Sequence, residues 1–455
     1  MVVGSLPEQA DLAVVGGGVG GYVAAIRAAQ LGLSVVLVEK EKLGGHCLNY
    51  ACIPSKTLLH IADILYEAKN AAKFGINLSG ASIDAKKMLE WRMGVSKKLE
   101  NGVAFLCKSN QVEVIKGTAT FISSNSIQLT NGTNIEFNKA IIATGSEPTV
   151  LKGFEFGEEV LDYKQALMLD KVPSRMLIIG GGYVGVELAT LYAKLGSKVT
   201  IAEKFDVLFN FDRDAAALVK KKLEELGVVI KTGVSPLSRI AGTVKLSDGT
   251  SVSADKIVVS VGLSPYIEGL GLENTKVELD EKGFIKVNDK LQTTDPNILA
   301  VGDVNGGPLL AHRAMRQGVI AAEVAAGQNA AYDNLAVPAA IFCDPEIATV
   351  GSVEQKPGIT ITKFPLSALG IAVAFDKTEG FVKIACDSTS IVRGVEIVGH
   401  NAATMISEGA LDIELGATLE DIADTIHVHP TFSEGLEEAS EGGLGRGIHF
   451  FYGKP

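Results

Sequence analysis

The chain has 455 residues and a formal net charge of −11, with 47% hydrophobic and 21% charged residues. This length predicts about three domains, and the acidic balance argues against a nucleic-acid partner. Five scattered cysteines argue against a secreted disulfide framework, and the sequence shows neither a long apolar span nor a signal pattern. We therefore expect a cytoplasmic protein that associates with neither nucleic acid nor membrane.

The first predicted unit, residues 12–40, consists of a buried strand, a glycine-rich turn, a helix and a second strand. In such a turn Gly16 permits the tight bend, Gly18 admits a diphosphate, and Gly21 lets the helix pack on the strand. The helix N-terminus then presents free N–H groups to the phosphates. Glu39 ends the second strand, where it is placed to accept hydrogen bonds from a ribose. The unit predicts a dinucleotide site.

The next segment, Gly44 to Lys56, contains Cys47 and Cys52 five residues apart. On a regular helix such residues are separated by about 7.5 Å of rise and point roughly 140° apart, whereas disulfide Cα atoms lie about 4.4–6.8 Å apart. A bond between them therefore requires the backbone to leave the helix, and a strained bridge is easily reduced. We favour a redox pair over two unrelated buried thiols, half of a zinc site or a structural bridge.

Residues 176–204 repeat the first unit 164 residues later. Gly180, Gly182, Gly185 and Glu203 occupy the positions of the three glycines and the acid. Two copies predict two dinucleotides, and the alternative is that one copy is a decayed repeat that only packs. The acid favours NAD over NADP, because a 2′-phosphate would be repelled.

Three further runs predict buried strands, at 140–145, 256–262 and 297–303. The last one ends at Asp303. This residue is either functional or only caps the turn in which it lies. A long apolar helix is predicted from Pro308 until Gly327 closes it.

From about Val337 the pattern changes to that of an α+β domain, with a hairpin predicted over 381–398. Near the end, His429 is followed five residues later by Glu434, on a helix predicted to begin after Pro430. A carboxylate that orients an imidazole raises its basicity, which suits acid–base work on a thiol. Alternatively, His427 and His429 together bind a metal ion, or both are ordinary surface residues.

These motifs, GGHCLNYACIPSK, the paired GxGxxG turns, the ATG and GD turns and HPTFSE, resemble the class I pyridine nucleotide-disulfide oxidoreductase flavoproteins over essentially the whole chain. The segment from Leu48 to Lys56 is most similar to the dihydrolipoamide dehydrogenase branch. The resemblance implies an α/β protein with two Rossmann-like dinucleotide-binding domains, for FAD and NAD, and a C-terminal α+β dimerisation domain. The implied divisions are 1–144 and 263–335 for FAD, 145–262 for NAD and 336–455 for the interface.

The implied activity is oxidation of protein-bound dihydrolipoamide to lipoamide with reduction of NAD. The implied partner is a lipoyl-bearing acyltransferase or carrier protein of a 2-oxoacid dehydrogenase or glycine cleavage system. In the implied homodimer, the last domain lends its histidine to the active site of the partner subunit.

Carried over by position, Cys47 is the interchange thiol and Cys52 the thiol beside the flavin. Lys56 pairs with Glu187 near the flavin, and His429 is the general base oriented by Glu434. The remaining contacts implied for FAD are Gly16, Gly18, Gly21, Glu39, Lys40, Gly45, Thr144, Gly145, Asp303 and Ala311; those for NAD are Gly180, Gly182, Tyr183, Gly185, Glu203 and Gly262. No metal is implied.

The sequence departs from the family pattern at several places. The arginine and asparagine usual after Gly262 are missing, which bears on the nucleotide preference. Other departures are His46, Tyr50, Ala51, the pair Tyr163-Lys164, and His400.

Four other activities or roles are alternatives to the lipoamide reaction. The runner-up is an NAD(P)H-dependent, glutathione-reductase-like enzyme acting on another small disulfide. Mercuric reductases and large thioredoxin reductases need a cysteine pair near the C-terminus, whereas the last cysteine here is Cys386. From another class, the chain would be a binding subunit that keeps FAD as a structural ligand.

Overall fold

The computed structural model describes residues 9–451. Its first part contains largely buried strands such as Val35–Glu39, in which every residue but Glu39 is buried, as expected for a parallel sheet covered on both faces. The elements up to residue 148 are the strands β1 (Gln9–Val15), β2 (Val35–Glu39), β3 (Glu113–Lys116), β4 (Ala119–Ser123), β5 (Ser126–Leu129), β6 (Asn134–Ile142) and β7 (Ser146–Pro148), and the helices α1 (Val19–Gln30), α2 (Gly45–Asn49), α3 (Cys52–Asn70) and α4 (Ala85–Ser109).

The second part repeats the β1–α1–β2 unit as β9–α6–β10. Its elements are the strands β8 (Val160–Leu161), β9 (Arg175–Ile179), β10 (Lys198–Ala202), β11 (Val229–Lys231), β12 (Pro236–Ile240), β13 (Thr243–Leu246), β14 (Ser251–Ser253), β15 (Lys256–Val259) and β16 (Leu263–Pro265), and the helices α5 (Tyr163–Ala166), α6 (Tyr183–Leu195) and α7 (Arg213–Glu225). A five-stranded parallel sheet has the order β11-β10-β9-β15-β8, and β12-β13-β14 form a separate antiparallel sheet.

The chain then returns to the first sheet. Strand β17 (Ile298–Ala300) pairs with β6 and completes a seven-stranded sheet whose main order is β3-β2-β1-β6-β5-β4. Helix α8 (Ala311–Ala325) follows and packs on α1, where a side chain on Gly318 would come within 2.5 Å of the carbonyl oxygen of Gly20. The helix begins three residues after the predicted Pro308, because the carbonyls of Gly306 and Pro308 accept hydrogen bonds from Arg313 and hold the segment as a turn.

The last part is an antiparallel sheet covered by helices. Its strands are β18 (Ala339–Ile341), β19 (Ile347–Gly351), β20 (Ile359–Pro365), β21 (Phe381–Asp387) and β22 (Val392–Val398), and its helices are α9 (Gly370–Phe375), α10 (Ala402–Leu415), α11 (Leu419–Ala423) and α12 (Glu434–Gly443). The order β18-β19-β22-β21-β20 contains the predicted hairpin as β21 and β22. Short 3₁₀ turns lie at Ala71–Phe74, Leu272–Asn274, Gly302–Asn305 and Leu366–Ala368.

The predicted fold class is therefore confirmed: two Rossmann-like units precede a C-terminal α+β domain. The divisions at 144, 262 and 335 stay a prediction. Within residues 9–451, none of the helices combines the length and apolar character that crossing a membrane requires.

Candidate active site

The regular helix is interrupted between the two cysteines. Helix α2 ends at Asn49, and α3 begins at Cys52. Tyr50 (φ −134°, ψ −13°) and Ala51 (φ −129°, ψ −92°) lie outside the helical region and turn the chain between the two helices. Cys47 and Cys52 are both free thiols, and this turn brings them within hydrogen-bonding reach of each other.

The two thiols are electrostatically different. The hydrogen bond from Cys47 lowers the pKa of Cys52, and the positive charge of Lys56 lowers it further against the opposing effect of burial. The same hydrogen bond and burial raise the pKa of Cys47. The pair is therefore arranged with Cys47 as the proton donor and Cys52 as the thiolate.

Lys56 is fixed by a buried carboxylate of the second Rossmann-like unit. Its ammonium lies 2.9 and 2.8 Å from the two oxygens of Glu187. Glu187 also accepts hydrogen bonds from the Ser55 hydroxyl at 3.0 Å and from the Phe342 amide at 3.0 Å. Ser55 and Lys56 belong to α3, Glu187 to α6 and Phe342 to the C-terminal domain, so these three parts meet at one point.

A second ion pair joins the same three parts. The ammonium of Lys194 lies 2.6 Å from Asp63 on α3 and 2.7 Å from Asp344 in the C-terminal domain. Lys194 follows Glu187 by seven residues on α6, so the two side chains lie on one side of the helix two turns apart. The helix that begins with Cys52 is thus held at two points along its length.

The first glycine turn shapes an open helix N-terminus. Gly16 has φ +104°, and a side chain there would come within 2.4 Å of the Ala143 carbonyl oxygen. A side chain on Gly45 would come within 2.6 Å of the Cα of Gly18, so the cysteine segment packs directly on the start of α1. No side chain caps α1, and its first N–H groups face the space between these two segments. Such a terminus is suited to a diphosphate.

The two acids at the ends of β2 and β10 make matching contacts. Glu39 accepts a hydrogen bond from the Gly17 amide at 2.6 Å, and Glu203 accepts one from the Gly181 amide at 2.6 Å. In each case the second oxygen binds the amide two residues further along, at 2.6 and 2.7 Å. Burial raises the pKa of Glu39. Each carboxylate is therefore oriented by backbone amides and retains lone pairs for ribose hydroxyls.

Asp303 lies in the short 3₁₀ turn Gly302–Asn305 that follows β17. Its carboxylate accepts a hydrogen bond from the Ser146 hydroxyl at 2.6 Å, and burial raises its pKa. The predicted Ala311 is the first residue of α8. This arrangement leaves one oxygen of Asp303 available for a hydroxyl of a bound group.

Thr144, Gly145 and Lys40 cluster around Tyr266. The Thr144 hydroxyl donates to the Tyr266 carbonyl at 2.6 Å, and the Tyr266 amide donates to Gly145 at 2.9 Å. The ammonium of Lys40 lies 3.6 Å from the centre of the Tyr266 ring. These three predicted residues are thus brought together where the chain passes between the Rossmann-like units.

The second glycine turn has the geometry of the first. Gly180 has φ +108°, and a side chain there would come within 2.4 Å of the Ser260 carbonyl oxygen. A side chain on Gly185 would come within 2.0 Å of the Gly180 oxygen, whereas around Gly182 the space is open. Tyr183 begins α6 and is 41% exposed. Both copies therefore present an open helix N-terminus.

One feature of the second site escaped the sequence reasoning. Phe205 and Phe209 form a ring pair with centroids 4.8 Å apart, and both are more than half exposed, at 52% and 56%. The pair follows directly after Glu203. In the sequence, Phe205 two positions after Glu203 is the feature that could have indicated this ring pair.

His429 and Glu434 form the expected pair. The Nδ1 atom of His429 lies 2.7 Å from Glu434, whose other oxygen accepts from the Thr431 amide at 2.7 Å. The His429 side chain is 78% exposed, and none of the hydrogen bonds found for residues 9–451 joins it to the cysteine pair. The helix predicted to begin after Pro430 is α12, which begins at Glu434, and in the preceding turn the Thr431 hydroxyl donates to the Val428 carbonyl.

The comparisons with known proteins cover nearly the whole chain. Residues 10–318 match the model for pyridine nucleotide-disulphide oxidoreductases, and residues 337–440 match the dimerisation domain of the same family. The dihydrolipoyl dehydrogenase of Haloferax volcanii is 43% identical over 99% of each chain. That of Thermus scotoductus is 45% identical over 96% of this chain and 98% of its own.

Solved structures agree in shape over a similar extent. LpdA from Mycobacterium tuberculosis has a TM-score of 0.89 and 27% identity, over 95% of this chain and 99% of its own. The HOCl-induced flavoprotein disulfide reductase RclA from Escherichia coli has a TM-score of 0.86 and 27% identity over the same shares. With two Rossmann-like units, a cysteine pair between them and both family models matched, the chain belongs to the pyridine nucleotide-disulphide oxidoreductase family.

Proposed function

We propose that this chain oxidises dihydrolipoamide to lipoamide and reduces NAD, through FAD and the pair Cys47 and Cys52. The observation that carries the proposal is the asymmetric thiol pair, with Cys52 favoured as the thiolate beside the Lys56–Glu187 ion pair. The similarity to dihydrolipoyl dehydrogenases over essentially the full length supports this substrate.

The first Rossmann-like unit fits FAD. The open N-terminus of α1 would hold the diphosphate, Glu39 the adenosine ribose, and Asp303 the ribityl chain. Lys56 would lie near the flavin, since it follows Cys52 by one helical turn. When bound, FAD accepts the electron pair of the reduced thiol pair and returns it as hydride to NAD.

The second unit fits NAD. Its open helix N-terminus would hold the diphosphate and Glu203 the ribose hydroxyls, where a 2′-phosphate would meet a buried carboxylate. The exposed ring pair Phe205 and Phe209 would cover the adenine, because aromatic faces stack on bases. Tyr183, at the start of α6, would cover the nicotinamide pocket.

The thiol chemistry follows from the asymmetry of the pair. His429 of the partner subunit takes the proton of one substrate thiol, and the resulting thiolate attacks Cys47 in the oxidised pair, so that Cys52 leaves as a thiolate. The second substrate thiol then attacks the substrate sulfur of the mixed disulfide, closes lipoamide and passes its proton to Cys47. The products are lipoamide, the Cys47 thiol, the Cys52 thiolate and a protonated histidine.

A homodimer supplies the base that a single chain lacks at its cysteines. The segment matching the family's dimerisation domain includes His429, and its neighbours Ile426 and Val428 are 94% and 74% exposed. Association of two subunits through this domain would remove these apolar side chains from water. A lipoyl-bearing acyltransferase or carrier protein as the partner, and the cytoplasm as the location, stay predictions.

An anaerobic absorbance titration with dihydrolipoamide, followed by NAD, tests the proposal. We expect dihydrolipoamide to produce the long-wavelength thiolate–flavin band and NAD then to yield NADH. A flavin that stays fully oxidised would exclude this substrate. Reduction by NADPH and not by NADH in the same cuvette would favour the runner-up, a reductase of another small disulfide.

A further inference from the structure

Four side chains that depart from the family pattern, His46, Tyr50, Tyr163 and Lys164, lie together, although they come from two distant segments of the sequence. The imidazole of His46 lies between two of them: its Nδ1 is 3.3 Å from the Tyr163 hydroxyl and its Nε2 is 3.1 Å from the Lys164 ammonium. The ring of Tyr50 packs edge-on against His46, with centroids 5.9 Å apart, and its face is 5.9 Å from the same ammonium. The departures therefore form one cluster rather than four separate changes.

The hydrogen bonds fix the state of His46. An ammonium only donates, so Nε2 of His46 must accept from Lys164, and Nδ1 must carry the proton that it donates to Tyr163. Burial and the charge of Lys164 lower the pKa of His46 to about 4, so the ring is neutral near pH 7. It orients the ammonium of Lys164 without adding a charge.

Lys164 is a half-buried cation without a carboxylate partner. The ion pairs found in residues 9–451 do not include it, and its hydrogen-bond partner there is the neutral His46. The nearby acids Asp162, Glu41 and Glu147 act on it only through longer-range attraction, and Asp162 is occupied as the cap of α5. A partly desolvated ammonium without a paired charge is destabilising, and a bound anion would offset that cost.

The cluster borders the open N-terminus of α1. His46 follows Gly45, which packs on Gly18, the residue that precedes the first turn of this helix. On the other side, the backbone of Ser146 lies against His46, and the Ser146 hydroxyl binds Asp303. The cluster is thus connected to the glycine turn through Gly45 and to Asp303 through Ser146. In this fold the diphosphate of a dinucleotide lies at the glycine turn.

We infer that Lys164, held in place by His46, is a direct cationic ligand of the FAD diphosphate. The inference rests on the proposed function in placing FAD in the first Rossmann-like unit. Lys164 contacts the cofactor, whereas His46 is a positioning residue that acts through Lys164. A glycine turn and a helix dipole supply partial charges only, so a full positive charge at this place adds substantially to retention of the cofactor.

Reconstitution of the apoprotein with FAD, followed by fluorescence, tests this contact. We expect Lys164→Met to raise the Kd for FAD about tenfold and to weaken its dependence on ionic strength, because one charge–charge contact is lost. Lys164→Arg should stay near the wild-type value. The matched control is Lys171→Met, since Lys171 is exposed in the same segment and belongs to none of the ion pairs described.

Two further measurements separate a direct contact from a structural effect. The ³¹P shifts of FAD bound to the Lys164→Met protein should change, while those of the Lys171→Met protein should not. His46→Gln, which keeps a neutral acceptor, should retain FAD better than His46→Leu.

A Lys164→Met protein that binds FAD with the wild-type Kd, salt dependence and ³¹P shifts would overturn the inference. That result leaves the proposed function intact. Failure of the wild-type apoprotein to bind FAD would instead contradict the proposed function itself.

Discussion

The ammonium of Lys56 lies 2.8 and 2.9 Å from the two carboxylate oxygens of Glu187, in a contact between α3 and α6. Lys56 follows Cys52 by four residues, so its charge is directed at the side of α3 that carries this thiol. Lys56 lowers the pKa of Cys52 and Glu187 raises it. The pair therefore places a cation at the thiol and limits its effect at the same time.

Lys56→Met should make Cys52 less reactive at neutral pH. Without the ammonium, the pKa of Cys52 loses a lowering contribution, while the raising effects of burial and Glu187 remain. We expect the rate at which iodoacetamide alkylates the reduced protein at pH 7 to fall several-fold, with the rate profile moved to higher pH. Mass spectrometry of the peptides assigns the modified cysteine.

The matched control for this experiment is Lys69→Met. Lys69 lies on the same helix, is exposed, and belongs to none of the ion pairs described for residues 9–451. An unchanged pH profile in Lys56→Met would show that the hydrogen bond from Cys47 alone sets the reactivity of Cys52.

Replacing either cysteine by serine should abolish lipoamide turnover and leave FAD bound. Serine retains the shape of Cys47 or Cys52 but forms no disulfide, so the exchange with substrate cannot begin. Turnover and the flavin-to-protein absorbance ratio are measured on the same preparation. Loss of FAD in both variants would identify a structural bridge instead of a redox pair.

Glu203→Gln should weaken NAD binding and narrow the preference over NADP. The substitution replaces one carboxylate oxygen of Glu203, a group that accepts from the Gly181 amide and would accept from the ribose, by an amide nitrogen. It also removes the negative charge that repels a 2′-phosphate. We expect the KM for NAD to rise about tenfold, as the loss of a charge-assisted hydrogen bond implies. Steady-state kinetics with both nucleotides measures this.

The repeat supplies the control for that experiment. Glu39→Gln makes the same change in the first unit and should loosen FAD while the KM for NAD stays as it was. A rise in the KM for NAD in Glu39→Gln, with none in Glu203→Gln, would reverse the assignment of the two sites.

Glu396→Gln should stabilise the protein at alkaline pH. Glu396 is 2% exposed on β22, and burial together with the charge of Asp212 raises its pKa to about 8 against the opposing charge of Lys383. The unfolded carboxyl ionises near 4.5, so between pH 4.5 and 8 the folded state is destabilised by holding a proton that the unfolded state releases. Glutamine removes this penalty, and we expect a gain of up to about 4 kcal/mol at pH 8.

Thermal unfolding at pH 5 and pH 8 measures the effect. The difference in melting temperature between Glu396→Gln and the wild type should be small at pH 5 and positive at pH 8. Glu281→Gln, at an exposed position, is the control and should show no such trend. An equal difference at both pH values would show that packing, not the proton, is responsible.

The parts of the site that were predictable are those encoded in short stretches. Gly16, Gly180 and the two acids each act through backbone within one β–α–β unit, so the repeat alone indicated their placement. The cysteine pair was equally local, because its spacing conflicts with a regular helix. The start of α8 was placed three residues early, since the turn at Pro308 depends on a guanidinium from the following helix.

What the sequence did not show are contacts between distant segments. His46 and Lys164 were recognised as departures, yet only the fold shows that one accepts a hydrogen bond from the other. The same holds for the Phe342 amide on Glu187. Such pairs join elements that pack through tertiary structure, and no local periodicity marks them.

Two contacts along α6 tie the helix that begins at Cys52 to the C-terminal domain of the same chain. Phe342 binds Glu187 and Asp344 binds Lys194, and both belong to the first residues of that domain. Because both contacts lie within one chain, separating the subunits of the proposed homodimer would withdraw the histidine and leave this support in place. Dilution into monomers should accordingly stop turnover while the cysteine pair keeps its own reactivity.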